Sequence, residues 1–372
     1  MKIEKVFVEK VDQDSKFVLK RVVTRNGIFL GRQMPVTNSL FNSERARKSY
    51  GLSLLRSPIQ TYHLHKDRST SAWNYDRKFN EARQHARDNN RIFLPFQQRT
   101  VQQLTDLDWA TSEDDLLELL NLGLQYVPFA VPENATVDQC IKELEWAKTQ
   151  LNGSQEIVPV LSSGHSVVSF RSILSKLWGK YKIIGIHFMS PQTNPEPGAN
   201  LRDLWDLNSQ IQEGQETSLI VGFNTRKHYH SSKVAGSFVA ARHGIDIPSQ
   251  MQMPPENVRG MLSRKEEFPS DDANYIYDRK EGGFNKASQQ IIWYGENVTQ
   301  RLLSEITLAE RLDQFQAFSW NDFMGQQADL YELNMAILEK KRVQQLIESK
   351  SRWHTYLLES NKSPGTEINE ED

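Results

Sequence analysis

Short apolar runs alternate with helix-patterned segments through the middle of this chain. The clearest run is Ile157-Val158-Pro159-Val160-Leu161, which leads into Ser162-Ser163-Gly164-His165 and then an amphipathic stretch from Val167 to Trp178. It reads as a buried strand, a small polar loop and a helix. Lys182 to His187 and Ser218 to Phe223 repeat the run. Upstream, Ile92 to Phe96 predicts a strand ending at Gln97 and Gln98, and Tyr126 to Val131 another ending at Pro132-Glu133-Asn134. Ser112, with Asp115 three residues on, opens a helix with the apolar face Leu116, Leu117, Leu119 and Leu120, and Gly123 stops it. Thr136 caps a helix from Val137 to about Gln150, with Ile141, Leu144, Trp146 and Ala147 around its buried side. Strands alternating with helices predict a parallel sheet covered by helices. In such folds ligands sit at the carboxyl ends of the strands, so the polar loops there are where function is sought.

The flanks differ. Ile3 to Val8 and Phe17 to Thr24 alternate with period two and predict a strand pair, with Asn26-Gly27 a tight turn. Residues 38–90 are polar and basic with few apolar positions; they predict a surface insertion that buries little area. Ser190 to Ala199 is a loop rich in Pro, Asn and Gly, followed by a helix near Leu201 to Gln212. Val234 to His243 predicts a helix of small residues ending at Gly244, and residues 250–290 read as irregular. Two helices follow, about Thr299 to Leu312 and Trp320 to Ser349, and Glu359 to Asp372 is an acidic, polar tail expected to be disordered.

Composition narrows the class. With 38% hydrophobic and 25% charged residues over 372 positions, the chain suits a soluble protein with a real core, either one large α/β barrel or two ordinary domains. No apolar run approaches the ~20 residues that span a bilayer, and Met-Lys-Ile-Glu-Lys opens without a signal core, so a cytoplasmic protein is expected. The single cysteine, Cys140, excludes an internal disulfide and a multi-cysteine zinc site, and its helical pattern predicts a buried, inert thiol.

The net charge of −2 conceals a strong polarity. From Lys16 to Arg99 there are 17 Lys/Arg against 5 Asp/Glu; from Val101 to His165 there are 2 against 11. Blocks of one sign mark a binding face or an interaction tail. In the basic block, Arg77, Lys78, Arg83, Arg87 and their neighbours are interleaved with Tyr50, Tyr62, Trp73 and Tyr75. That mixture suits phosphate attraction and stacking on unpaired bases. A nucleic acid, DNA or RNA, is therefore the expected partner; docking onto the acidic residues 106–145 of this chain or a neighbour is the other reading.

The order of segments resembles the tRNA-guanine transglycosylase superfamily, whose members exchange guanine for a 7-deazaguanine within a nucleic acid. The likeness is diffuse but collinear over roughly residues 17–345. It is carried by Arg25-Asn26-Gly27 with Met34-Pro35-Val36, Val131-Pro132 before a helix with Trp146-Ala147, and Val158-Pro159-Val160 with Gly164. Ile183-Ile184-Gly185-Ile186, Ala235 to His243 with Gly244-Ile245-Asp246, and Asn321, Met324 and Ala336-Ile337 continue it. The resemblance implies a TIM-like (β/α) barrel over 91–298, preceded by N-terminal strands (1–37) and a basic insertion (38–90) and followed by C-terminal helices (299–358) and a tail (359–372). Three departures stand out. The family's Asp-Ser-Gly-Gly loop has no counterpart, Pro248-Ser249-Gln250 stands where its nucleophilic aspartate follows the Gly-x-Asp strand, and its cysteine-rich zinc site is absent.

Base exchange needs a carboxylate to attack the anomeric carbon and an acid to help the base leave. Asp246, Glu133 and His165 are the candidates. Each also has a plain reading: Asp246 as a structural strand residue, Glu133 as an exposed loop glutamate, His165 as a helix cap. Gln97, Ser163, Gly164, Gly185, His187 and Asn224 are candidates for holding the base. Arg226 and Lys227, beside His228 and His230, suit phosphate contacts. No metal is expected at these histidines, which no carboxylate or cysteine flanks; no cofactor is expected, and no Gly-x-x-x-x-Gly-Lys motif occurs. Two further readings remain. One is a non-catalytic member of the same fold that binds nucleic acid, pairs with an active partner subunit or forms a homo-oligomer; the other is a barrel enzyme acting on a small sugar or phosphate substrate through Glu133 and His165.

Overall fold

The structure, a computed structural model, describes residues 1–12, 14–15, 17–37, 57–65, 72–87, 91–98, 110–133, 135–188, 204, 206–208, 210–225, 227, 233–250, 275–286, 291–293, 296–298, 308–339 and 343–362. It is a mixed α/β protein. β1 (Ile3–Val11), β2 (Val18–Thr24) and β3 (Gly27–Leu30) form an antiparallel sheet, as the alternation and the Asn26-Gly27 turn predict. Two parallel sheets follow. One orders β4 (Val36–Thr37), β5 (Ile59–His65) and β6 (Ile92–Gln98). The other orders β7 (Tyr126–Ala130), β8 (Glu156–Ser162), β9 (Ile183–His187), β10 (Leu219–Thr225) and β11 (Ile247–Gln250) in sequence.

Helices connect these strands: α1 (Ala72–Arg87), α2 (Glu113–Asn121), α3 (Val137–Thr149), α4 (Val167–Leu177) and α5 (Gly236–Arg242). Ser112 and Thr136 cap α2 and α3 as expected, and Asp115 and Gln139 return the bonds to complete a capping box at each. Ser166, not His165, caps α4. Trp146 departs from its expected place and is 38% exposed, because the buried face of α3 runs through Cys140, Leu144 and Ala147.

The segment 38–90 also departs from expectation. It contributes β5 and α1, and Ile59, Tyr62 and Leu64 are fully buried. Charged residues at its ends mask a short alternating run whose two faces are both covered. The region 250–290 contains a hairpin of β12 (Tyr275–Asp278) and β13 (Gly283–Lys286); β14 (Ile291–Trp293) and β15 (Glu296–Val298) pair after it. In place of a break at residues 313–319 between two helices, α6 runs unbroken from Leu308 to Leu338. Residues 313–319 hold no Pro or Gly to break it. α7 (Val343–Ser349) and α8 (Ser351–Lys362) complete the described chain.

β5 to β10 each divide their side chains between two cores. In β8, Ile157 and Leu161 pack with Leu144, Phe170 and Leu174 of the covering helices. Val158 and Val160 point the other way and pack with Leu219, Val221 and Ile247, and with Ile3, Val6 and Val22 of the hairpin. The hairpin thus covers one end of that inner core. Beneath it Lys20 and Asp246 form a buried ion pair at 2.8 Å, and Asp246 also accepts from the Ile220 N–H at 2.8 Å. A third core joins the hairpin's other face to α5, α6 and the closing helices through Phe17, Phe238, Leu333 and Trp353. Among the described residues no helix is long and apolar enough to cross a membrane.

Candidate functional site

The inward-facing positions change character along the strands. At the amino ends, Ile59 pairs with Ile92 and Leu219 with Ile183, all within the inner apolar core. One step on, Val160, Gly185, Val221 and Ile247 lie in register across four strands. At the next step, near the carboxyl ends, the same rows become Ser162, His187, Phe223 and Ser249, with His63 opposite Phe96 on the neighbouring sheet. A period of two places these residues on one face. The result is a polar and aromatic layer above an apolar one.

Within this layer the Phe96 ring is sandwiched. It stacks on Phe223 at 4.7 Å between centroids and on His187 at 4.8 Å. Gly185 makes room for the stack: a Cβ there would lie 2.8 Å from the Phe223 ring and 2.9 Å from Val160. His63 Nε2 lies 3.1 Å from Ser249 Oγ, and Thr61 Oγ1 lies 2.9 Å from the same oxygen. These bonds tie β5 to β11 across the interior. Burial, with His63 nearby, pushes the His187 imidazole down to about 3, so it is neutral at physiological pH. At the end of β10, Thr225 Oγ1 and Asn224 Oδ1 are buried without a hydrogen-bond partner among the described residues. Asn224 has φ 62°, a left-handed conformation that asparagine tolerates, and its amide donates to Phe188 O at 2.9 Å.

A second cluster joins the loops after β7 and β8. Ser162 Oγ donates to Glu133 Oε1 and accepts from the Gly164 N–H at 2.9 Å. Gly164 lies against the Glu133 carboxylate, which a Cβ would approach to 2.6 Å. The His165 ring lies between two carbonyls, Nδ1 at 3.0 Å from Ser162 O and Nε2 at 3.1 Å from Pro132 O. Burial lowers its pKa, against the opposing pull of those carbonyls and Glu133. A neutral imidazole has one N–H, so only one of the two contacts is then a hydrogen bond.

The expected site residues therefore separate. Glu133, Ser163, Gly164, His165, His187 and Asn224 gather at the carboxyl ends, and the Ser163 N–H bonds His187 O at 2.8 Å. Asp246 does not join them. It lies before β11, at the opposite end, neutralising Lys20 where no ligand at the carboxyl ends could meet it. Gly185 sits one level down as a packing residue. For Gln97 only the backbone, in β6, is described. Of the expected phosphate contacts, Arg77 and Arg87 are exposed and Arg83 half-buried, whereas Lys78 is buried at 7% exposure, turned away from any surface ligand. Lys227 is paired with Asp322 at 2.5 Å, and Arg226, His228 and His230 lie outside the described residues. Sequence reading missed His63, Phe96, Phe223 and Ser249. The one available signal was the position of each near the end of an apolar run.

No protein-family model matches this chain, and no curated protein matches it.

Proposed function

We propose that the eight strands of the two parallel sheets close into a TIM-like barrel that handles a nucleic-acid base at its carboxyl mouth. Its activity would be of the guanine-transglycosylase type, exchanging guanine for a 7-deazaguanine in DNA or tRNA. Closure is supported by three contacts: β6 lies beside β7, the Gln33 N–H bonds Asp246 O at 3.0 Å, and Thr61 and His63 reach Ser249. The observation that carries the functional reading is the switch to Ser162, His187, Phe223, Ser249, His63 and Phe96 at one level of the interior. A planar base is bound by stacking and by a few convergent polar groups, and a stack of rings at 4.7 and 4.8 Å is that geometry. Phe96 occupies the space such a base would take, so entry requires its ring to move. A base reacting in this mouth must leave its own stack, as enzymes acting on bases require.

A non-catalytic subunit of the same fold is the second reading, and one observation favours it. Glu133, the expected carboxylate at the mouth, is bonded to Ser162 and packed on Gly164. The acid–base role of Glu133 and His165 on a small sugar is disfavoured, because His165 is buried between two backbone carbonyls. Incubation with labelled guanine and unmodified tRNA or DNA separates the first two readings. Incorporation of label supports exchange, and Glu133→Gln is then expected to abolish it, because an amide cannot replace the carboxylate that attacks the anomeric carbon. No incorporation, with tight binding of the same nucleic acid, assigns the binding subunit. Neither incorporation nor binding overturns both.

A further inference from the structure

α1 runs back along the outside of the fold. β5 ends at His65 and α1 begins at Ala72; α1 ends at Arg87 and β6 begins at Ile92 beside β5 in the same direction. Its first turn therefore lies at the carboxyl ends of the strands and its last turn at their amino ends. Arg77, Asn80, Gln84 and Arg87 are all exposed and recur at helical spacing along one face. Each carries side-chain N–H donors. Asp76, exposed, and Glu81, half-buried, share a hollow with Arg77, Asn80 and Gln84, and Glu81 accepts from the Tyr62 hydroxyl at 3.0 Å.

At its end α1 borders a cleft of about 450 Å³ lined by Arg83, Ala86, Arg87, Asn121, Leu122 and Gly123. Past Ala86 and Gly123 a second hollow of about 270 Å³ reaches Arg91 and Phe93. No carboxylate lines either among the described residues. The Arg83 guanidinium lies over the Phe79 ring at 5.4 Å, and its Nε is buried without a hydrogen-bond partner among the described residues. α1 and α2 both end here, and each helix end carries about half a negative charge. Two full guanidinium charges outweigh them, which leaves the cleft cationic.

We propose that the exposed face of α1 and the cleft at its end carry the phosphate backbone of a nucleic acid from the mouth of the strands toward their amino ends. This rests on the reading that a base is held at the mouth. The 16 residues of α1 rise about 24 Å, a span that several consecutive phosphates of one strand can follow. The amide donors between the arginines can bond phosphate oxygens as the guanidinium groups do.

Fluorescence anisotropy with labelled single strands of about 4 and about 20 nucleotides tests this, since only the longer can reach both ends of α1. Arg83→Glu with Arg87→Glu is expected to weaken the longer strand at least about tenfold and the shorter by less than about twofold. The slope of log affinity against log salt should fall by about 1.4, two phosphates at about 0.7 each. Arg83→Gln with Arg87→Gln should act in the same direction more weakly, and unchanged melting would show both variants folded. Equal losses at both lengths, no loss, or a wild type that holds the longer strand no better than the shorter would overturn the track. So would a polyglutamate peptide that binds this face more tightly than the longer strand. His187→Ala reports separately on the mouth: it should weaken both lengths. If it changes neither while the length-selective loss persists, the base site fails and the track stands.

Discussion

His187 shows how the interior sets a side chain's chemistry. It is 3% exposed, stacked on Phe96 and close to His63, and its folded-state pKa of about 3 lies below the ordinary 6.5 of imidazole. The unfolded chain therefore takes up a proton first as pH falls. The stability His187 contributes is complete above about pH 6.5 and is lost from there toward about pH 3, at about 1.4 kcal/mol per pH unit. Urea midpoints measured across that range should fall with acid, and His187→Gln should flatten the fall by about that slope; an unchanged slope would show His187 already charged in the fold. Gly185→Ala should cost about 1–3 kcal/mol by pressing a methyl into Phe223 and Val160. Breaking the buried pair with Lys20→Met should cost about 3–5 kcal/mol, because it leaves Asp246 uncompensated. Cys140 is buried as its pattern predicts, with its thiol pushed up to about 11, so it should react with a thiol reagent only on unfolding. The chain spells out His187 at the end of an obvious strand. Period alone, however, does not say which face of an all-apolar run turns inward. That is why Phe96 and Phe223 were not legible as site residues, and why Asp246, in a Gly-x-Asp setting, looked catalytic although it stands at the wrong end.

Among the elements, those with local punctuation are legible and those set by packing are not. Ser112 and Thr136 announce α2 and α3 by their capping chemistry, and Ser112→Ala or Thr136→Ala should each lower stability by about 1 kcal/mol in a denaturant melt. β5 carries Gln60, Thr61 and His63 between its apolar residues and lies in a basic block, so its composition hides a strand covered on both faces. The loops after β7 and β8 are a single unit. Glu133 bonds Ser162 and covers Gly164, and His165 sits between the two loops' carbonyls. Gly164→Ala should therefore be destabilising alone, and less so in a Glu133→Ala background that removes the obstructing carboxylate. A double-mutant cycle should return a coupling of about 0.5–3 kcal/mol; simple additivity would separate the loops.

On the scale of the whole molecule, the N-terminal hairpin covers one end of the inner core and leaves the polar layer toward the other, while positive charge is concentrated in residues 16–99 of the sequence. Parallel strands alternating with helices were readable from periodicity, because each strand must bury both faces. The layer itself was not, because His63, Phe96, Ser162, His187, Phe223 and Ser249 come from six different strands and meet only through the pairing of those strands. The proposed activity requires that layer to receive a nucleic-acid base. An oligonucleotide carrying one 2-aminopurine, fluorescent when unstacked, measures this most directly. Saturating protein should raise its emission several-fold, and His187→Ala should abolish the rise while α1 still binds the strand. A bound strand whose emission stays at the stacked level would contradict the account.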